Sequence, residues 1–281
     1  MRTIFITTIL MISFFSCKKD VEVIVLKADF SYFITSDSTG AVQFRNKSKN
    51  ATSYLWDFGN GKTSTEFEPK ITFGKIFYSI VKLIAYRDGN SDTCAKYVAD
   101  QILVYKPNIY IYPQKNIQLG IKVSFPLGGA IMESFPLYNN GWQVNVDSNG
   151  VINDKYKFLF YESKQPDLFQ YKNGWCISKD NLKTFFEQNM TLYNFSKNEI
   201  IDFLEYWLPR LNEYNYYMIY PQTNDIIDKI IKLDFSLNPD NISRLYYGFL
   251  GLNNYSQINE PLVRSFRRDG FYIMEWGGFY K

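Results

Sequence analysis

One stretch near the start of the chain constrains its fold more than any other, and it reads YLWDFGNGKTST over residues 54–65. Within it, Tyr54, Trp56 and Phe58 alternate with a leucine and an aspartate, and this period of two is typical of a β-strand. The strand should end at residues 59–61, because the two glycines there allow the positive φ angles of a tight turn. A tryptophan just before such a turn typically fills the space between two packed sheets. The stretch therefore predicts a β-sandwich.

Further landmarks surround this stretch in a fixed order. They are ADF at residues 28–30, VQFRNKS at 42–48, ATSYLWDFGNG at 51–61 and YSIVKL at 78–83. Together they resemble the PKD family, whose members are immunoglobulin-like β-sandwich modules. The resemblance implies a PKD-like domain over residues 27–105. It also implies an extracellular spacer or binding module, a kind of domain that is seldom an enzyme.

Composition excludes several classes of function. The 281 residues contain no histidine, so a Ser-His-Asp triad, a Cys-His pair and the usual histidine-containing zinc site cannot be built. The net charge is +3, with 31 basic and 28 acidic side chains interspersed along the chain. Because no basic stripe is present, we expect no nucleic-acid partner. We also expect no cofactor and no metal.

The first 26 residues indicate export and anchoring. Arg2 precedes an apolar run over residues 4–15 that is too short to span a bilayer, which is typical of a signal peptide over residues 1–16. Cys17 follows, and the arrangement resembles a bacterial lipoprotein signal. That resemblance implies lipidation of Cys17, a tether over residues 17–26 and a membrane contact through the lipid. The alternative is an ordinary or uncleaved signal peptide.

The residues after Cys17 bear on location. Lys18 stands where an aspartate often retains lipoproteins in the inner membrane, so we expect an outer-membrane protein. The charged residues 18–20 resemble surface-export signals of the Bacteroidota. The sequence leaves open whether the protein faces the periplasm or the cell surface.

A second domain is predicted over residues 106–281. Lys106 and Pro107 mark the boundary, because proline cannot donate a hydrogen bond to a sheet. Alternating apolar residues predict an antiparallel sheet with strands both before and after two helices, an α+β arrangement. Ser178 is the expected cap of the first helix, and Ser196 with Glu199 forms a capping box before the second. The fold class of the whole chain is thus mainly β with an α+β part.

Five short motifs recur in order in an uncharacterised bacterial domain that this second domain resembles. They are KPNIYIYP at residues 106–113, NGW at 140–142, LFYE at 159–162, YWLP at 206–209 and EWGG at 275–278. The resemblance implies no function. The glycines of EWGG would allow close approach of a ligand to the backbone, but a bulge at a sheet edge is the favoured interpretation.

Two carboxylates are the weak candidates for catalysis. Glu162 ends an apolar strand, and Glu275 lies between Met274 and a tryptophan. Apolar neighbours raise the pKa of a carboxyl group, and a glycan hydrolase uses a pair of such groups. The alternative is that each glutamate caps backbone donors or pairs with an arginine, for example Arg264, Arg267 or Arg268.

Aromatic side chains are the candidates for ligand binding. Trp142, Trp175 and Trp276, together with Tyr246, could stack on sugar rings, although most aromatic residues of the chain are expected in the core. Cys94 and Cys176 lie in different predicted domains, and the sequence leaves open whether they are free or bridged.

These observations favour a cell-envelope lipoprotein that works as an extracytoplasmic binding or interaction protein, with a glycan or an envelope protein as partner. The alternative is a carboxylate-dependent hydrolase in the second domain. A third hypothesis is that the protein is a structural component of the envelope. A geometric criterion separates the first two hypotheses. Glu162 and Glu275 must face one cleft, with roughly 5–9 Å between their carboxyl groups, for the hydrolase hypothesis to hold.

Overall fold

A computed structural model describes residues 25–35, 40–74 and 78–281. The predicted signal peptide and Cys17 lie outside these residues. Two β-rich units follow one another along the chain. The strands of the first unit are β1 (Phe30–Ile34), β2 (Ala41–Asn46), β3 (Ser53–Asp57), β4 (Thr63–Ser64), β5 (Lys70–Thr72), β6 (Tyr78–Arg87) and β7 (Asn90–Ala99).

The second unit contains both strands and helices. Its strands are β8 (Gln101–Tyr112), β9 (Ile117–Ser124), β10 (Ala130–Phe135), β11 (Trp142–Val146), β12 (Leu159–Pro166), β13 (Trp175–Ser178), β14 (Tyr216–Thr223), β15 (Lys232–Phe235), β16 (Asn241–Leu252) and β17 (Tyr272–Tyr280). Its α-helices are α1 (Leu182–Leu192), α2 (Lys197–Trp207) and α3 (Asn224–Ile230), and single 3₁₀ turns lie at Lys179–Asn181 and Leu208–Arg210.

The first unit is a sandwich of two small sheets, with strand orders β1-β2-β5 and β4-β3-β6-β7. Trp56 is fully buried between them, and its ring centroid lies 5.2 Å from that of Phe30 and 5.3 Å from that of Phe44. Its indole Nε1 donates a hydrogen bond of 2.9 Å to the carbonyl oxygen of Glu66, so the polar atom of this large side chain is satisfied. The predicted sandwich with a central tryptophan is confirmed.

The second unit is built on a seven-stranded sheet of order β10-β12-β8-β17-β16-β14-β13. Helices α1 and α2 cover one face, where an aromatic core includes Phe186, Phe203 and Trp207. The three-stranded sheet β11-β9-β15 and helix α3 pack against the other face around Ile121 and Ile227. The predicted class, mostly β with a small helical part, is confirmed. One detail differs, because β16 and β17 pair in parallel in an otherwise antiparallel sheet.

Strand β8 crosses the predicted domain boundary. Gln101 to Val104 already pair with β12, so the large sheet begins five residues before Lys106. Pro107 pairs with no residue of either neighbouring strand, although β8 itself continues beyond it. Lys106 has a φ of +53°, and the pairing register shifts beside it on both neighbouring strands. Such an irregularity accommodates proline because a ladder hydrogen bond is not required there.

The helix ends test the predicted caps. Ser196 begins α2 with both bonds of a capping box to Glu199, as predicted. Ser178 makes no capping hydrogen bond, because a 3₁₀ turn separates it from α1, and that prediction is wrong. Helix α3 was not expected from the sequence. Within the described residues, no helix has both the length and the apolar character needed to cross a membrane.

Candidate functional site

Glu275 lies in the interior of the second unit rather than in a cleft. Its carboxylate has no exposed surface and forms a salt bridge with the guanidinium of Arg244, which is also fully buried. The hydroxyl groups of Tyr246 and Tyr161 donate hydrogen bonds of 2.8 Å and 3.0 Å to Glu275. Arg244 also contacts Asp228 at 2.8 Å. Glu275 therefore pairs with an arginine that the sequence did not single out.

Glu162 lies on the opposite face of the sheet. Its neighbour Tyr161 points towards Glu275, and consecutive side chains of a strand point to opposite faces. Glu162 instead accepts a hydrogen bond of 3.3 Å from the hydroxyl of Tyr206, on helix α2. The structure therefore does not bring Glu162 and Glu275 together.

The candidate aromatic residues are all in the core. Trp142 is 3% exposed and donates a hydrogen bond of 2.7 Å to the carbonyl of Pro136. Trp175 is 8% exposed, and Trp276, which is fully buried, donates to the hydroxyl of Tyr110 at 3.2 Å. Tyr246 is also fully buried. None of these rings presents a free face on which a sugar could stack.

A cluster around Lys106, which we call the Lys106 surface, consists of the half-buried Lys106, Phe160, Glu162 and Tyr206 and the exposed Glu133. The Lys106 Nζ lies 3.4 Å from the centroid of the Phe160 ring, a close cation–π contact. Burial lowers the pKa of the Lys106 amine, and the nearby Glu162 and Glu133 charges oppose this shift. Lys106 also holds a positive φ, a conformation often found where residues have a functional role.

Two carboxylates face each other on the Lys106 surface. Glu133 on β10 is directly opposite Glu162 on β12, and directly paired residues point to the same face. Burial and then the Glu133 charge raise the pKa of Glu162, while the Tyr206 hydroxyl partly offsets this shift. Burial and the Glu162 charge raise the pKa of Tyr206 to about 12. The environment of Glu162 therefore favours its protonated form more than water does.

The sequence did not point to Glu133, because only the pairing of β10 with β12 places it opposite Glu162. The short motifs of the second domain are a sequence feature that does contain residues of this surface. The motifs at residues 106–113, 159–162 and 206–209 supply Lys106, Glu162 and Tyr206 respectively. The glycines of the motif at residues 275–278 lie in a central strand, not at a sheet edge, and the register of β17 against β8 shifts between Trp276 and Gly278, as expected of a bulge. A Cβ on Gly277 would lie 3.3 Å from the Cα of Pro107, and one on Gly278 would lie 2.6 Å from the Trp207 ring.

The described residues also show how the potential metal ligands and two of the cysteines are arranged. Over residues 25–35, 40–74 and 78–281, no group of three or more cysteine, aspartate or glutamate side chains is arranged to hold a metal ion. Cys94 on β7 and Cys176 on β13 are both free thiols. Burial raises the pKa of Cys94, which disfavours its reactive thiolate form.

Comparisons with known proteins match part of the chain. The chain is 35% identical over 107 residues to the pre-pro-metalloprotease PrtV of two strains of Vibrio cholerae serotype O1. The match covers 37% of this chain and 10% of the relative, so the chain spans about a tenth of the length of these curated relatives. No protein-family model matches the chain.

One solved structure is also similar, the PKD1 domain from the Vibrio cholerae metalloprotease PrtV. It is 36% identical and has a TM-score of 0.25, and the match covers 27% of this chain and 96% of that domain. The sequence identity over 107 residues and the observed sandwich support a PKD-like domain in the first unit. The lipoprotein signal and the resemblance of the second domain remain predictions.

Proposed function

We propose that this protein is an extracytoplasmic binding protein, in which the PKD-like domain is a spacer or interaction module and the second unit carries a ligand site at the Lys106 surface. The observation that carries the proposal is the 35% identity between 107 residues of the chain and a protein named as a pre-pro-metalloprotease. PKD-like modules are found mainly outside the cytoplasm, and their usual role is interaction. The lipidation of Cys17 and an outer-membrane location belong to the same proposal.

The Lys106 surface supports the binding role. It combines a cation, two carboxylates and two aromatic rings on side chains that remain at least partly accessible. Arg210 extends it, because its guanidinium lies 3.8 Å from the ring centroid of Tyr206. Such a mixture of charged and aromatic groups suits a polar ligand with hydroxyl groups, such as a glycan, because rings pack on its flat faces and charges bind its hydroxyls.

Binding of residues 18–281 to a glycan array tests the proposal, with detergent-solubilised envelope proteins as a second arm. We expect selective binding that falls at least about tenfold in Glu162→Gln and in Lys106→Met, since each removes a charge-assisted hydrogen bond. Lys115→Met and Glu213→Gln are matched controls at exposed positions. Binding that is the same in all four variants would exclude the Lys106 surface as the site.

A second candidate function is a carboxylate-dependent hydrolase that uses Glu162 and Glu133. The observation that favours it is their direct opposition on neighbouring strands, together with the raised pKa of Glu162. A glycan hydrolase needs one protonated and one ionised carboxyl group close together. Incubation with aryl glycosides should then release the aryl group, and Glu162→Gln should lower kcat with little change in KM. If no release occurs although glycans bind, the protein binds without catalysis.

A further inference from the structure

A cleft lies where the sandwich meets the second unit, and we call it the junction cleft. Its volume is about 550 Å³, within the roughly 300–1,000 Å³ that is typical of small-molecule sites. Tyr78 of the sandwich and Tyr171 and Tyr220 of the second unit contribute aromatic walls. Asp100 and Asp167 contribute carboxylates. The cleft is thus apolar on its walls and acidic at two points.

The chain's own Lys281 shows which chemistry this cleft accepts. Its ammonium forms a salt bridge with Asp167 and lies 4.5 Å from the centroid of the Tyr171 ring. The Tyr171 hydroxyl donates a hydrogen bond of 2.5 Å to the same carboxylate. An ammonium group held by a carboxylate and an aromatic face is a favourable combination away from bulk water. The cleft therefore already holds one ammonium group.

The second carboxylate, Asp100, has no such cation. The backbone N–H of Asp167 donates a 2.6 Å hydrogen bond to the carbonyl of Asp100, which keeps the two aspartates adjacent. In the part of the chain that the structure describes, the Asp100 side chain accepts no hydrogen bond and forms no salt bridge of its own. Burial raises the pKa of Asp100, Lys281 opposes that shift and Asp167 adds to it. A second cation at Asp100 would relieve this unfavourable environment.

The wall that carries Asp167 and Tyr171 is firmly held. Gln222 is fully buried and its Oε1 accepts a 2.8 Å hydrogen bond from the backbone N–H of Gln170. Its Nε2 donates to the carbonyl of Gln170 at 2.9 Å. Asp167 and Tyr171 lie on either side of this anchored residue. A ligand that enters the junction cleft does not need to order this wall first, which lowers the free-energy cost of binding.

We infer that the junction cleft binds a small organic ammonium compound with an apolar face, which donates to the Asp100 carboxylate and packs on the rings of Tyr78 and Tyr220. Two carboxylates against one ammonium give the cleft a negative charge, which excludes anions and favours cations. Aromatic amines and amino sugars share this chemistry. The inference does not depend on the Lys106 surface.

Calorimetric titration of the protein with matched pairs of compounds tests the inference. The pairs are benzylamine with benzyl alcohol and glucosamine with glucose. Within each pair, one compound carries an ammonium group where the other carries a hydroxyl group. We expect at least one amine to bind about tenfold more tightly than its neutral counterpart, because its hydrogen bond to Asp100 is charge-assisted. Preference for benzylamine would indicate aromatic amines, and preference for glucosamine would indicate amino sugars. Equal affinity within both pairs would overturn the inference.

Variants locate the binding in the cleft. Asp100→Asn keeps the size of the side chain and should weaken amine binding about tenfold, whereas Asp154→Asn, at an exposed position, should leave it unchanged. Lys281→Gln should strengthen amine binding, because it removes a positive charge that lies near Asp100 and frees the Asp167 carboxylate. Binding should also weaken as the pH falls through the raised pKa of Asp100. Unchanged binding in both Asp100→Asn and Lys281→Gln would contradict the assignment.

Discussion

The side chain of Glu162 lies in an environment that disfavours its charge. It is partly buried, and the Glu133 carboxylate on the neighbouring strand adds repulsion. The hydrogen bond from the Tyr206 hydroxyl and the nearby Lys106 compensate only in part, so the pKa of Glu162 stays raised. Glu275 is the contrasting case, because its buried charge is balanced by Arg244 and by two tyrosine hydroxyls. Of the two glutamates, therefore, only Glu162 is accessible to a ligand or substrate.

The raised pKa of Glu162 predicts a specific dependence of stability on pH. Its pKa is higher in the folded than in the unfolded protein, so protonation favours the folded state. This contribution is fully present below the unfolded pKa of about 4.3 and is lost as the pH rises through the folded pKa. Glu162→Gln removes the titration. As the pH rises from about 4.3 through the folded pKa of Glu162, the unmodified protein should therefore lose stability relative to the variant. Urea midpoints of both proteins between about pH 3 and pH 7 provide the measurement.

Glu213→Gln is the control for this series, because Glu213 is exposed on the loop before β14. Its urea midpoints should follow those of the unmodified protein across the whole pH range. If Glu162→Gln shows the same pH dependence as the unmodified protein, the environment of Glu162 is not the one described above.

Residue-scale predictions from the sequence succeeded where the signal was local. The role of Trp56 as the central side chain of the sandwich followed from its strand and the turn beside it. The partners of Glu275 could not be predicted, because Arg244 lies opposite it only through the parallel register of β16 and β17. Glu133 was missed for the same reason. The pairing of strands that are distant in sequence depends on the whole sheet, so inspection of one sequence does not reveal which residues lie opposite each other.

At the scale of elements, the two serines that precede α1 and α2 offer a direct comparison. The backbone N–H of Ser196 donates to the Glu199 carboxylate at 2.6 Å, and its own Oγ accepts from the Glu199 backbone at 3.4 Å. Ser178 makes no capping bond. The Glu199 carboxylate also pairs with Arg268 at 2.7 Å, so the start of α2 is tied to the loop before β17. The cap at the start of α2 therefore also connects this helix to the loop before β17.

Removal of the α2 cap should cost measurable stability. We expect Ser196→Ala to lower the free energy of unfolding by about 1 kcal/mol, the usual cost of losing a helix cap. Ser178→Ala serves as the matched control and should change it by less than about 0.5 kcal/mol, because no capping bond is lost. Urea denaturation followed by circular dichroism measures both values. Equal effects of the two changes would show that the capping bond of Ser196 contributes little.

Some elements are identified by a pattern of a few neighbouring residues, whereas others depend on contacts with distant parts of the chain. The capping box of α2 is contained within four residues, and the sequence predicted it correctly. Helix α3 has only seven residues, too few to give a clear helical pattern in the sequence. Strand β8 continues through Pro107 because its neighbours on both sides shift register there. These two differences arise from tertiary packing, which overrides local preference.

At the scale of the whole molecule, the two units are joined with very little connecting chain. Strand β7 ends at Ala99 and β8 begins at Gln101, so a single residue, Asp100, separates the sandwich from the large sheet. Ile102 and Val104 of β8 belong to the hydrophobic core of the second unit, with exposures of 8% and 0%. Residues that the sequence had assigned to the first domain therefore contribute to the core of the second unit.

Two fragments that differ by six residues test where the second unit begins. A fragment of residues 100–281 keeps all of β8, whereas one of residues 106–281 lacks its first five residues. The shorter fragment loses the burial of Ile102 and Val104, about 1.5–3 kcal/mol for each side chain. It also leaves the hydrogen-bonding groups of β12 unpaired opposite the missing residues, which favours association between copies. Because domains are stable by only about 5–15 kcal/mol, this loss is large.

We therefore expect the fragment of residues 100–281 to unfold cooperatively and to elute as a single species in gel filtration. The fragment of residues 106–281 should unfold at a markedly lower temperature, by circular dichroism, and should elute partly as larger species. Replacing Leu103, an exposed residue of the same strand, with threonine in the longer fragment controls for changes outside the core. If both fragments unfold at the same temperature, residues 101–105 contribute nothing to the second unit, and its boundary lies at residue 106 as the sequence predicted.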